Sequence, residues 1–392
     1  MVLVRPLASG DSRDEYLDLR FRAFGPADSE RVWADAEAAI ANGSCLAAFD
    51  DGRLIGAAMY HDMRQWWLGE AVPLAGVAGV KVAPEYRSKG VGRALMASLI
   101  QLMADRGYLL SALYPATSPF YRSLGWELAG AVYEATVPAR SLIERPRSVK
   151  SPALRRAGPA DAAEVIAVLG RAHELARDCG PVTFDEQTVR RWLTAGRWAG
   201  QQRYAYLADD GFLAYAWSGG RHEISVDKLV AVSAETTSAL WSMVASHASI
   251  ARTIRVQAAP ADPLWWLLRE QDAEPAGGYG WMLRVLDARA AIAARGFPAV
   301  DIEIPMRIDD DQVAANTGSW MLTVRSGGGS LEPAAGKADK PVHFSVRGLA
   351  ALYAGTPMAA LRIAGLASGG TPESDIALDS AFATTAFMLD TF

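Results

Sequence analysis

Cysteine is nearly absent: Cys45 and Cys179 are the two in 392 residues. So sparse a set excludes a disulfide framework and fits a reduced, cytoplasmic setting. Histidine is also scarce, at positions 61, 173, 222, 247 and 343. Neither type shows the short spacings of a metal site, so no metal is expected. No uninterrupted apolar run reaches 18 residues, which leaves no candidate membrane span. The opening MVLVRPLASGDSRDEY turns polar too early for a signal peptide. An excess of positive charge is lacking as well. The formal net charge is -5, which gives no support to nucleic-acid binding and suits a cationic partner.

What is present is an ordinary globular composition, 51% hydrophobic and 21% charged, over a length that suggests two or three domains. The first segment, residues 1–137, reads as βααβββαβ. A strand at Val2–Arg5 is followed by helical stretches at Asp11–Phe24 and Ser29–Ala41, with Gly43 as a stop. Strands follow at Cys45–Phe49 and Leu54–His61 around an Asp51-Gly52 turn, a strong hairpin signal. A strand at Ala75–Val82 then leads to a helix at Gly90–Asp105 and a strand at Tyr108–Tyr114. Val91, Leu95, Leu99 and Met103 form one apolar stripe on that helix, which reads as core packing.

Residues 138–286 repeat this outline. A helix begins at Pro159-Ala160-Asp161, a hairpin spans Arg203–Leu207 and Phe212–Ser218, and a strand at Lys228–Val232 leads to a helix at Glu235–Ala248. Residues 287–392 add strands at Asp301–Ile308 and Met321–Val324, a Gly327-Gly328-Gly329 turn, a strand beginning at Phe344, a helix at Gly348–Tyr353, and a tail that is helical at first.

The chemistry concentrates at Arg87-Ser88-Lys89-Gly90-Val91-Gly92. A strand ends, the chain turns, and glycines stand where a helix begins. A helix N-terminus offers unpaired N–H groups and a favourable dipole, and glycine permits close approach of a pyrophosphate. The amides of Ser88, Lys89, Gly90, Val91, Gly92 and Arg93 are the candidates. The plain alternative is a glycine-containing turn. The sequence fits neither the Rossmann G-x-G-x-x-G nor the Walker G-K-[ST] pattern. In the second segment the same place holds Ser233-Ala234-Glu235-Thr236-Thr237-Ser238-Ala239. It lacks glycine, so that copy is not expected to bind the same ligand.

The stretch VAGVKVAPEYRSKGVGRALM resembles motif A of the GNAT superfamily of acetyltransferases, and Pro119-Phe120-Tyr121-Arg122-Ser123-Leu124-Gly125-Trp126 resembles its F-Y-x-x-x-G-aromatic hallmark. With DKLVAVSAETTSALWSMVASH, DPLWWLL and WMLRVLDARAAIAARGF, the whole chain resembles the Eis (enhanced intracellular survival) group. The fold class implied is α/β (α+β): a catalytic GNAT domain, a degenerate second one, and a sterol-carrier-like domain. The resemblance implies acetyl-coenzyme A as acetyl donor. Val80, Lys81 and Val82 would bond the pantetheine arm through strand amides, with Ala116 and Thr117 edging it. It also implies Tyr121 as general acid toward the departing thiolate, and the Phe392 α-carboxylate as general base. Read without it, Tyr121 is a packing residue and Phe392 part of a frayed terminus. The sequence departs from the group's pattern at Lys81, and at Asp390-Thr391, where an acidic residue at 391 is expected; both bear on the substrate pocket.

Further candidates lie around the same region. His61 beside Asp62 suggests a base or a rim histidine. Trp66 and Trp67 beside Glu70 suggest a cationic-amine pocket or plain core. Asp28, Trp33 and Asp35 suggest rim residues. The leading expectation is N-acetylation of polycationic amines such as aminoglycosides. Acetylation of protein lysines and binding of an apolar ligand without catalysis are the alternatives. The resemblance further implies a homo-oligomer, a hexamer.

Overall fold

The computed structural model describes residues 2–142, 152–195, 197–198, 201–219, 222–334 and 339–392. The first unit contains β1 (Leu3–Pro6), α1 (Arg13–Phe24), α2 (Ser29–Ala41), β2 (Cys45–Asp50), β3 (Arg53–Trp67), β4 (Glu70–Val82), α3 (Val91–Asp105), β5 (Leu110–Leu113), α4 (Ser118–Arg122) and β6 (Glu127–Pro138). Helices α1 and α2 begin where side chains cap them: Ser12 accepts from the Glu15 amide, and Asp28 from the Glu30 and Arg31 amides. On α3 the stripe Val91, Leu95, Leu99 and Met103 is buried against the sheet, and Gly107, at φ +80°, stops the chain beyond it.

Strands β3 and β4 run further than the sequence pattern implied. They continue to a second tight turn at Leu68-Gly69, where both φ angles are positive. The extension is tertiary in origin. Residues Met63–Trp67 gain a second partner in the strand Cys179–Phe184 of the next unit, which no local pattern announces.

The second unit carries the helix Ala162–Ala176, the expected hairpin (Gln201–Ala208 with Gly211–Ser218), the strand Glu223–Ala231, the helix Ala234–Ala245 and the strand Thr253–Gln257. The two units share one continuous sheet. Strand Glu274–Val285 lies between β5 and β6, antiparallel to both, and β6 pairs onward with Thr253–Gln257.

The third unit is a five-stranded sheet in the order Gly328–Pro333, Gly318–Arg325, Ile302–Asp309, Val342–Ser345, Ala367–Gly369, with helices Val346–Tyr353, Met358–Ile363 and Pro372–Phe382. It docks on the first through a shared core. Trp67 lies fully buried, 4.9 Å from the Tyr353 ring and 6.5 Å from that of Trp281. Among the described residues no helix is long and apolar enough to cross a membrane.

Candidate active site

Strands β4 and β5 pair in parallel only at Leu74–Leu110, Ala75–Ser111 and Gly76–Ala112. Beyond Gly76 they part, so the stretch Val77–Val82 presents an edge to a gap. On its other side β4 bulges: Ala78 faces Met59 and Lys81 faces Ala57, so Gly79 and Val80 share the single residue Ala58. Such a bulge removes backbone groups from the ladder and re-aims the side chains that follow it.

The gap leads to the start of α3. After the turn Pro84–Tyr86, Ser88 and Gly90 both take positive φ, 61° and 83°. Gly90 is the N-cap and has no side chain to bond the first turn. The bond from the Ala94 amide (3.0 Å) is the one that reaches back to the Gly90 carbonyl. The amides ahead of it open toward solvent beside exposed Ser88, Lys89 and Arg93. A Cβ on Gly90 would meet nothing within 4 Å. Glycine is therefore required there by its φ, and it leaves free room in front of the amides. Arg93 reaches across to the Ser123 carbonyl, and the Phe120 ring packs beside Gly92, so α3 and α4 start side by side.

Exposed Ala116 and Thr117 precede α4, on the far wall of the gap. Tyr121 on α4 is buried between Phe120 and Trp126, and burial pushes its phenol up to about 12. Among the described residues none hydrogen-bonds that hydroxyl.

The C-terminal tail approaches from the opposite direction. Phe387–Met388 adds to β6 as a short parallel strand. The fit is close: a Cβ on Gly130 would lie 2.3 Å from the Ala386 carbonyl oxygen, and one on Gly180 2.3 Å from that of Phe387. Asp390 accepts from Lys228 Nζ at 2.6 Å, a bridge across 162 residues. The Tyr114 hydroxyl donates to the Asp390 carbonyl, and its ring lies 5.3 Å from the Phe392 ring. Phe392 also packs against Gly76, the last residue of β4 paired to β5. The tail therefore ends where the gap opens. Tyr114 and Lys228 are site neighbours that sequence reasoning missed. Tyr114 had a weak signal, its place at the end of β5; Lys228 had none.

Between α1, α2 and β4 lies a pocket of about 600 Å³, lined by Tyr16, Arg20, Asp28, Arg31, Asp35, Met59, Gly79 and Lys81. Lys81, 3% exposed, is on its floor. Its ammonium donates to the Gly79 carbonyl at 3.2 Å and sits 4.0 Å over the Tyr16 ring, and burial holds its pKa down at about 8. A smaller hollow of about 320 Å³ shares Asp35 and contains His61, Asp62, Asp185 and Arg191; burial lowers the His61 pKa. Trp67 belongs to the inter-unit core and not to an amine pocket, and Trp66 packs beside His173. Trp33 packs edge-on against Tyr16.

The second copy is closed at the corresponding place. Ser233 caps the helix Ala234–Ala245 by accepting from the Thr236 amide, and the Thr236 hydroxyl donates to Asp210. An anion there meets a carboxylate and an occupied amide.

Comparison with known proteins agrees with this arrangement. Residues 4–129 and 182–285 each match an acetyltransferase (GNAT) domain family, and residues 288–388 a sterol carrier protein domain family. A solved GCN5-related N-acetyltransferase from Kribbella flavida is 41% identical, superposes with a TM-score of 0.91, and covers 100% of this chain and 98% of its own. The N-acetyltransferase Eis of Mycobacterium bovis (strain BCG / Pasteur 1173P2) is 30% identical over 265 residues, 62% of this chain; that match spans 63% of the mycobacterial protein. Eis1 from Mycobacterium abscessus shares the fold, with a TM-score of 0.81 at 24% identity over the full length of both chains. The chain belongs to the GCN5-related N-acetyltransferase family, as an Eis-type member with two GNAT domains followed by a sterol-carrier-like domain.

Proposed function

We propose that the protein is an acetyl-coenzyme A-dependent N-acetyltransferase that acts on a primary amine of a small molecule. The observation that carries this reading is the uncapped start of α3 beside the open edge of β4, set against the self-capped helix of the second copy. The amides of Ser88 to Arg93 hold a pyrophosphate, and the dipole of α3 adds to them. Val80, Lys81 and Val82 offer strand amides to an extended arm, with Ala116 and Thr117 along its other side. Bound acetyl-coenzyme A supplies an acetyl group activated as a thioester.

Tyr121 and Phe392 act at the acetyl end. A phenol held near 12 stays protonated through the neutral range, so Tyr121 donates a hydrogen bond toward charge developing on a sulfur whose thiol resembles that of cysteine, with pKa ~8.5. The Phe392 carboxylate takes a proton from the acceptor's ammonium, directly or through water, and the free amine then attacks the thioester carbonyl as the thiolate departs; the anchoring of Asp390 by Lys228 and Tyr114 supports this role by fixing the tail. The pocket between α1, α2 and β4 receives the acceptor. Its wall carries both signs: Asp28 and Asp35 favour a polycation such as an aminoglycoside, whereas Arg20, Arg31 and Lys81 oppose one. Assembly into a homohexamer is part of the proposal and rests on resemblance; light scattering of the purified chain tests it.

Thiol release from acetyl-coenzyme A, followed with a panel of primary amines, tests the activity. Transfer to at least one amine is expected, lost on deleting Phe392. No transfer to any amine, or full activity without Phe392, overturns the respective reading.

A further inference from the structure

Lys81 and Arg20 stand out among the groups around the acceptor pocket because neither has a carboxylate partner. Among the described residues no ion pair involves either. Lys81 has the Gly79 carbonyl and the face of Tyr16. Arg20 has the Gly25 carbonyl, at 3.3 Å, and the Phe24 ring. The two acids in the same wall are turned to other tasks. Asp28 caps α2 by accepting from its amides, and Asp35 lies 4.0 Å from Arg191 in the neighbouring hollow. A buried ammonium without a counter-ion is costly, and such a charge is normally paired. Here the bulge at Gly79-Val80 directs it at a cavity of about 600 Å³. A carbonyl and a ring face satisfy part of its hydrogen-bonding capacity and leave its charge uncompensated.

We propose that the acceptor is a primary amine that also carries an anionic group, a carboxylate or a phosphate, and that this group is received by Lys81 on the pocket floor and Arg20 in the pocket wall. The proposal rests on the transferase reading, because it names the acceptor class of that same pocket. It places the anion next to the bulge of β4. A polycation is disfavoured by the same two charges.

The test is isothermal titration of the full chain, saturated with coenzyme A, with matched amines: β-alanine and 3-aminopropyl phosphate against 3-amino-1-propanol, phenylalanine against phenylalaninamide, and spermidine. In at least one set the member that carries the carboxylate or phosphate is expected to bind tenfold or more tighter than the member that lacks it. Lys81→Met is expected to reduce that ratio below threefold, and Lys81→Arg to retain it. Arg20→Gln, which leaves the buried floor unaltered, is expected to lower the ratio as well. Equal or tighter binding of the members without an anionic group and of spermidine overturns the proposal, as does a ratio unchanged in Lys81→Met. Thiol release with the same amines separates the two readings. A charge preference in binding without any transfer removes the transferase and leaves the anion site; transfer without regard to charge does the reverse.

Discussion

Lys81 shows what a buried charge costs the fold. In the unfolded chain a lysine titrates near ~10.4; in the fold, burial holds Lys81 at about 8. Below about 8 both states bind the proton, and the fold bears the full cost of the buried charge, about 3 kcal/mol from the size of the shift. Between about 8 and ~10.4 the unfolded chain binds more protons, so this group's contribution to stability rises with pH. Lys81→Met is therefore expected to be more stable than the parent at pH 7 by up to that amount, with the difference shrinking by pH 10, as urea denaturation at the two pH values measures. Tyr121 gives a second prediction at this scale. Tyr121→Phe keeps the ring between Phe120 and Trp126 and removes the hydroxyl. Under the proposed role of Tyr121 as proton donor to the leaving sulfur, a fall in kcat of about 10²-fold is expected, with the KM for acetyl-coenzyme A little changed.

At the scale of elements, capping separates the two GNAT copies. In the two GNAT copies the helix starts at Ser12, Asp28, Asp185 and Ser233 are closed by side chains, whereas α3 starts at Gly90 with no side chain to close it. Gly90→Ala places a Cβ on a residue at φ +83°, a strain of roughly 1–2 kcal/mol, in space that the free protein leaves empty. Titration with coenzyme A is expected to show at least tenfold weaker binding, with only a small drop in melting temperature. A loss of fold matching the loss of binding speaks against the open amides as a ligand site.

At the scale of the whole molecule, the units are linked by buried charge as well as by apolar packing. Arg284, on the strand inserted between β5 and β6, is fully buried and pairs with Asp310 of the third unit at 2.8 Å. It also donates to the Leu124 carbonyl beyond α4, and Asn316 donates to Asp310 at 3.0 Å. Removing one partner strands the other in the core. Asp310→Ala is expected to cost about 3–5 kcal/mol, seen as a lower urea midpoint with Tyr121 and the tail disturbed together.

Much of this was legible in the chain itself. The apolar stripe of α3, the Asp51-Gly52 turn, the helix Ser29–Ala41 and the glycines at the start of α3 are local signals. Periodicity, turn chemistry and φ preference are properties of neighbouring residues. The resemblance carried by Val77–Met96 and Pro119–Trp126 identified the superfamily for the same reason, since its motifs are short and contiguous. Sequence left Trp66 and Trp67 open between pocket and core, because an aromatic pair reads alike in both; only the packing of Trp67 on Trp281 and Tyr353 decided it. Sequence marked Lys81 as unusual without giving it a task. Its environment comes from α1, α2 and the β4 bulge together. The tail needed tertiary structure most: Tyr114 and Gly76 of the first unit meet the Phe392 ring, and Lys228 reaches Asp390 from a strand of the second unit that joins the same sheet, all three remote from the tail in sequence. The sequence by itself determined many of the local elements and the glycine loop ahead of α3, because those depend on adjacent residues. The fold decided which charges share the pocket between α1, α2 and β4 and where residues 387–392 lie, because both depend on groups that burial brings together from distant parts of the chain.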